Sequence, residues 1–177
     1  MHKLKKIVVI GPESTGKSTL CYQLAEHFKS LWAPEFARQY LEKKPGSYQY
    51  DDLLTIAKGQ LRLEDEYVIN SVGQSFLFID TDMHVMQVWS EFAFGKCDNW
   101  ILQQIAGRQY DLYMLCNTDL PWILDELREY PDAATRNKLY RYYKEQMLNQ
   151  GTPWIDISGN YEHRLQLAID AVEKMLY

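Results

Sequence analysis

Residues 11–18 read GPESTGKS, and residues 4–10 before them read LKKIVVI. A β-branched run that ends on glycine, followed by G-x-x-x-x-G-K-S, is the spacing of a loop that wraps phosphate. Gly11 and Gly16 let the backbone curl, so that N–H groups of the residues between them, Glu13, Ser14 and Thr15 included, point inward. Lys17 reaches the β- and γ-phosphates, and the Ser18 hydroxyl offers a ligand to Mg²⁺. The run KSTLCYQLAEHF that follows puts Leu20, Leu24 and Phe28 on one face. Ser18 and Thr19 therefore open a helix whose positive N-terminus meets the phosphates. The bare spacing recurs by chance, but a strand before it and a helix after it remove most accidents. The segment is read as binding a nucleoside triphosphate.

The rest of the composition agrees with one enzyme domain over residues 1–177. Hydrophobic residues make up 46% of the 177 residues, enough to bury a sizeable core. A formal net charge of −5 argues against nucleic acid as a partner, because such a surface is normally basic. Small phosphorylated ligands need only a few local cations. Cys21, Cys97 and Cys116 are odd in number with no C-x-x-C, which fits a reducing, cytoplasmic setting with thiols used as small hydrophobes. No signal-peptide stretch follows MHKLKK, and no apolar run approaches the ~20 residues of a membrane span.

Periodicity alternates along the chain. Leu31–Ala33 is a short apolar piece before Pro34, and 36–42 reads as helix. Asp51 or Asp52 caps a helix to about Asn70, with Leu53, Leu54, Ala57, Leu61 and Val68 at helical spacing. SFLFI (75–79) is a strand buried on both faces. Helices follow over 82–92 and 99–106, then the strand DLYMLC (111–116) and a proline-containing loop with some helical character over 119–128. A polar helix at 133–149, the strand GTPWIDI and an amphipathic helix from Tyr161 to Leu176 complete the chain. The class expected is α/β, a three-layer α/β/α arrangement on a parallel five-stranded sheet.

Four further features carry chemistry. Asp80 closes FLFID, where a carboxylate at a strand end holds Mg²⁺ or its water shell, so Ser18 and Asp80 are the metal candidates. Asp82 is either a second catalytic carboxylate or the N-cap of MHVMQVW. Glu35 and Arg38 follow the second short strand, at the edge where strand ends converge on one cleft. They are either a base and substrate contact or a surface i,i+3 ion pair of little worth. Residues 118–140 form a lid between strand and helix, on which Arg128 and Arg136 are placed to close over the phosphates, with Lys138 and Arg141 on the helix beyond. Trp89, Phe92, Phe94, Trp100 and Trp122 offer rings against which a flat acceptor stacks.

GPESTGKSTL, PEFARQY, FLFIDTD, the Gln87 region and PWILDELRE followed by Arg136 resemble, in order and over nearly the whole chain, the ribosylnicotinamide kinase domain of NadR-type NAD-biosynthesis proteins. The W-x-x-D-x-L-R pattern (Trp122, Asp125, Leu127, Arg128) is more specific than the phosphate loop. The resemblance implies a P-loop NTPase fold of the nucleoside and nucleotide kinase branch, strand order 2-3-1-4-5, acting on nicotinamide riboside with ATP and Mg²⁺. It implies that Glu35, Arg38 and Gln87 touch substrate, and that Ser158 to Tyr161, with Ser158 and Asn160, lie against adenine. Pro34 stands where the family places an aromatic. Family proteins carry an adenylyltransferase domain ahead of the kinase, and this chain is expected to lack that activity. Two alternatives stay open: a kinase for another nucleoside or small metabolite, and a P-loop ATPase or nucleotide switch acting through a partner.

Overall fold

Five short runs rich in β-branched and aromatic residues pair, all parallel, in the order β2-β3-β1-β4-β5. They are β1 (Lys5–Ile10), β2 (Leu31–Ala33), β3 (Phe76–Asp80), β4 (Leu112–Cys116) and β5 (Trp154–Ile157). The computed structural model describes residues 3–176. The helices are α1 (Lys17–Phe28), α2 (Phe36–Lys43), α3 (Tyr50–Asn70), α4 (Met83–Phe94), α5 (Asn99–Gly107), α6 (Ala133–Asn149) and α7 (Tyr161–Glu173). The expected class and strand order hold.

Side-chain alternation sorts the sheet into two buried faces. Ile7, Val9, Phe76, Phe78 and Met114 pack on Leu20, Leu24, Ala168 and Val172 of α1 and α7. Val8, Ile10, Leu77, Ile79 and Leu115 pack on Val85 and Val88 of α4 and Leu139, Tyr143 and Met147 of α6. A third cluster joins α2, α3, α4 and α5 through Ala37, Ile56, Leu61, Met86 and Ile101. Cys21 and Cys116 are buried free thiols within the first face, while Cys97 is half-buried. Among the described residues no helix is long and apolar enough to cross a membrane.

Two local expectations change. Gln49 rather than Asp51 or Asp52 is the N-cap of α3. Asp52 is the third helical residue and returns its carboxylate to the Gln49 N–H at 2.6 Å, completing a capping box. Residues 119–128 contain no helix; Pro121 has no N–H to give, and Trp122, Ile123 and Arg128 spend N–H groups on the phosphate loop instead.

Candidate active site

All five strands run the same way, so their carboxyl ends open on one edge, and β1 lies where the order reverses direction. The loop from β1 to α1 fills that crevice. Gly11 sits at φ 140°, and a Cβ there would stand 2.7 Å from the Cys116 carbonyl oxygen of neighbouring β4, so only glycine fits. Gly16, at φ 79°, is the left-handed N-cap of α1. Thr15 Oγ1 donates to the Pro12 carbonyl at 2.7 Å, and Lys17 Nζ reaches the same oxygen at 2.9 Å. Lys17, Ser18 and Thr19 line a cleft of about 380 Å³.

The Ser18 hydroxyl donates to Asp80 Oδ2 at 2.5 Å, while Asp80 Oδ1 is buried with no partner among the described residues. Burial pushes the Asp80 carboxyl up to about 6; the nearby Glu35 charge adds to this, while Lys17 and Ser18 oppose it. A fully buried carboxylate with a spare oxygen beside a serine hydroxyl is a donor set that suits Mg²⁺. That ion keeps waters and takes one or two protein ligands plus phosphate oxygens. No cluster of three His, Cys, Asp or Glu among the described residues could cage a metal without such help.

Glu35 is the residue before α2, yet its side chain makes no capping bond. Gln60 does that work: its Oε1 accepts from Phe36 N at 2.7 Å, and its Nε2 donates to the Pro34 and Asp80 carbonyls at 3.3 and 3.4 Å. Glu35 is thereby released into the cleft, which it lines with Lys17 and Ser18. Asp82 is occupied otherwise. Its Oδ1 accepts from His84 and Val85 N–H as the N-cap of α4, its Oδ2 accepts from Tyr113 Oη at 2.8 Å, and it does not line the cleft. The turn between the two aspartates is strained, with Thr81 at φ 79°, a conformation that β-branched residues rarely adopt.

The segment expected to act as a lid is latched to the phosphate loop. Glu13 accepts from Glu129 N at 3.0 Å, Tyr130 N at 2.5 Å and Trp122 Nε1 at 3.4 Å. The expectation for Glu13 concerns its backbone N–H; its carboxylate is spent on two backbone N–H groups and the Trp122 indole. Ser14 Oγ accepts from Ile123 N at 2.9 Å and Arg128 at 3.3 Å, and Arg128 lines the cleft. Arg136 is 5% exposed and donates to the Ser14 and Leu120 carbonyls, bracing the loop from behind rather than covering it. Lys138 and Arg141 are exposed on α6. Arg38 lines the cleft and pairs with Asp125 of the lid at 2.9 Å. A backbone N–H from Leu127, with the Arg38 guanidinium next, holds Asp125 below the usual carboxylate range.

Of the rings, Trp89 and Phe92 line the cleft, and Trp89 Nε1 donates to Tyr48 Oη at 2.9 Å. Trp100 and Trp122 do not line it, and Phe94 packs on Tyr48 and Tyr50. Gln87 corrects an expectation: it bonds Glu91 at 2.9 Å and lines a different cavity. Successive helical positions turn by about 100°, so Gln87 and Trp89 face different ways. Ser158 and Asn160 also lie outside the cleft. Asn160 caps α7 through the His163 N–H, and the Tyr161 ring lies beside Gly16, 3.3 Å from where a Cβ there would stand. Gln60, Tyr48 and Arg164 were not legible as site residues. Arg164, 3% exposed, ties the Thr15, Asn117 and Gly159 carbonyls together.

Residues 6–164 match a family model described as an AAA domain. Among curated proteins the chain is similar to the trifunctional NAD biosynthesis/regulator protein NadR of Salmonella typhimurium and of Escherichia coli, 26% identical to each over 178 residues. The matches cover 98% of this chain and 43% of each relative, so the chain spans less than half the length of those proteins. Among solved structures, NadR protein in complex with NR superposes with a TM-score of 0.79 at 25% identity, over 96% of this chain and 49% of that one. NadR protein in complex with NAD and AMP-PNP gives 0.75 at 24%, over the same shares. Thymidylate kinase from Ehrlichia chaffeensis gives 0.69 at 14%, over 96% of this chain and 98% of that one. The likeness to NadR-type proteins read from the motifs thus runs through nearly the whole chain, and the fold is that of P-loop kinases.

Proposed function

The chain belongs to the AAA domain family, and from that premise we propose that it transfers the γ-phosphoryl group of ATP to a riboside hydroxyl, with nicotinamide riboside as the acceptor and nicotinamide mononucleotide as the product. The observation that carries this reading is Glu35. A carboxylate stands at the head of a helix it does not cap, in the same cleft as Lys17 and Ser18. A hydrolytic switch has no use for a second carboxylate facing an acceptor-sized space walled by Arg38, Tyr48 and Trp89. The likeness to a NadR structure bound to NR supports the choice of acceptor.

In this reading the loop amides and Lys17 hold the β- and γ-phosphates. Ser18 and Asp80 would hold Mg²⁺, which when bound neutralises charge on the phosphate oxygens. The acceptor oxygen attacks the γ-phosphorus, the bond to the β,γ-bridging oxygen breaks, and the hydroxyl proton passes to Glu35. A loose transition state sheds that proton late, so a carboxylate is basic enough. Arg128 neutralises the transferring group, Arg38 holds the acceptor once released from Asp125, and residues 118–140 act as the lid that excludes water.

The test is a coupled assay of pure protein with ATP, Mg²⁺ and a panel of ribosides. Phosphorylation of nicotinamide riboside in preference to the others supports the proposal. Preference for another nucleoside replaces the acceptor, and ATP hydrolysis with no acceptor phosphorylated replaces the kinase reading with a nucleotide switch.

A further inference from the structure

A second cavity of about 560 Å³ lies between α4, α5 and α6, within the size range of small-molecule sites. Two buried polar atoms in its lining have no partner among the described residues: His84 Nδ1, on a residue 7% exposed, and Gln146 Oε1. Buried polar groups nearly always find partners, and two orphans lining one cavity point to a ligand with polar groups of its own. Gln146 Oε1 only accepts, so the ligand donates there.

Charge narrows the class. Glu91 and Glu145 line the cavity and no lysine or arginine does. Gln87 satisfies one Glu91 oxygen at 2.9 Å, and Glu145 remains for a cation. The Phe92 and Tyr142 rings, with centroids 6.4 Å apart, stand in the same wall. The Lys138 ammonium sits 5.5 Å and 5.9 Å from those two rings, so they already meet a positive charge from outside. Val88 and Phe92 line both this cavity and the cleft, so an occupant presses on the helix that carries Trp89.

We propose that this cavity is a separate binding site for a small organic cation whose N–H donors are carried on a flat ring. The probe is benzamidine, with benzoate as its anionic counterpart of similar shape. Both are titrated calorimetrically into the full chain saturated with a non-hydrolysable ATP analogue. Benzamidine is expected to bind one to one and benzoate at least about tenfold more weakly, the worth of one charge-assisted hydrogen bond. Gln146→Leu and Glu145→Gln should each weaken benzamidine by about tenfold on the same ground, whereas Glu35→Gln, in the cleft, should not. Glu145 is exposed, so that variant folds even where Gln146→Leu does not. Absence of binding, equal binding of benzoate, or loss of binding in Glu35→Gln overturns the proposal. None of these outcomes bears on phosphoryl transfer, which the riboside assay tests separately.

Discussion

Asp80, the carboxylate proposed to hold Mg²⁺, carries a stability cost of its own. Its carboxyl is pushed up to about 6 by burial and by Glu35, so the folded state binds its proton more tightly than the unfolded chain does. Stability from this group is full below about pH 4 and is lost as pH rises through 6. In nucleotide-free protein, Asp80→Asn is therefore expected to raise stability at pH 7–8 by on the order of 2 kcal/mol, a gain that fades below pH 4. The same variant should lose turnover by several orders of magnitude, with partial recovery in excess Mg²⁺. Thermal unfolding against pH, paired with an assay, checks both, and a pH-independent difference in melting temperature would show that Asp80 is not the titrating group. Glu35 and Asp82 separate in the opposite sense. Glu35→Gln should cut turnover about 10²- to 10⁴-fold with ATP affinity unchanged. Asp82→Asn weakens a cap and a buried bond to Tyr113, costing about 1–2 kcal/mol of stability. If Asp82→Asn instead leaves the melting temperature alone and abolishes turnover, the two roles are exchanged.

The lid offers a test one level up. Its contacts to the phosphate loop are concentrated on Glu13 and Ser14, two neighbours whose backbone is proposed to wrap the phosphates. Loop and lid are thus one mechanical unit, and Arg128 reaches the cleft because Ser14 and the Ile123 carbonyl hold it. Glu13→Ala removes the acceptor for three lid N–H groups, those of Glu129, Tyr130 and the Trp122 indole, without opening the core. The expected result is faster limited proteolysis within 121–130, a melting temperature within a few degrees of wild type, and turnover reduced by about tenfold or more as Arg128 loses its position. Unchanged proteolysis would mean that the lid is held by other contacts. By contrast the Arg38–Asp125 pair is half exposed and worth little to stability, as the proposed release of Arg38 to an acceptor requires.

At the end of the sheet away from the cleft, a different buried charge holds the layers together. Glu64 of α3 is fully buried and accepts from Lys6 at the start of β1, Arg108 after α5 and Tyr110 before β4. Burial and the Glu64 charge push the Tyr110 phenol well up, so it stays a donor. Glu64→Ala leaves Lys6 without its carboxylate, while Arg108 keeps Asp65, and should cost about 3 kcal/mol. For a chain of this size that lowers the melting temperature by roughly 10 °C. Turnover per folded molecule should hold, because the cluster is remote from the strand ends that carry the site. Loss of turnover without loss of stability would contradict that separation.

What the amino-acid order determined unaided was local. The phosphate loop, with its strand before and helix after, and the carboxylate at the end of FLFID are each written within about a dozen consecutive residues, so hydrophobic period and glycine placement suffice to read them. The alternation of strands and helices likewise implies a parallel sheet, because a parallel pair needs a crossover. Glu35 and Arg38 were readable only as a pair of two meanings, and the tertiary structure separates them: Gln60, 24 residues from the amide it caps, frees one, and Asp125, 87 residues away, holds the other. The misplacement of Gln87 and the second duty of Glu13 have the same origin. Which face of α4 meets the cleft, and which backbone N–H groups lie within reach of a loop carboxylate 116 residues earlier, depend on how distant elements pack. Sequence period constrains an element's face relative to itself, whereas only packing sets what that face meets.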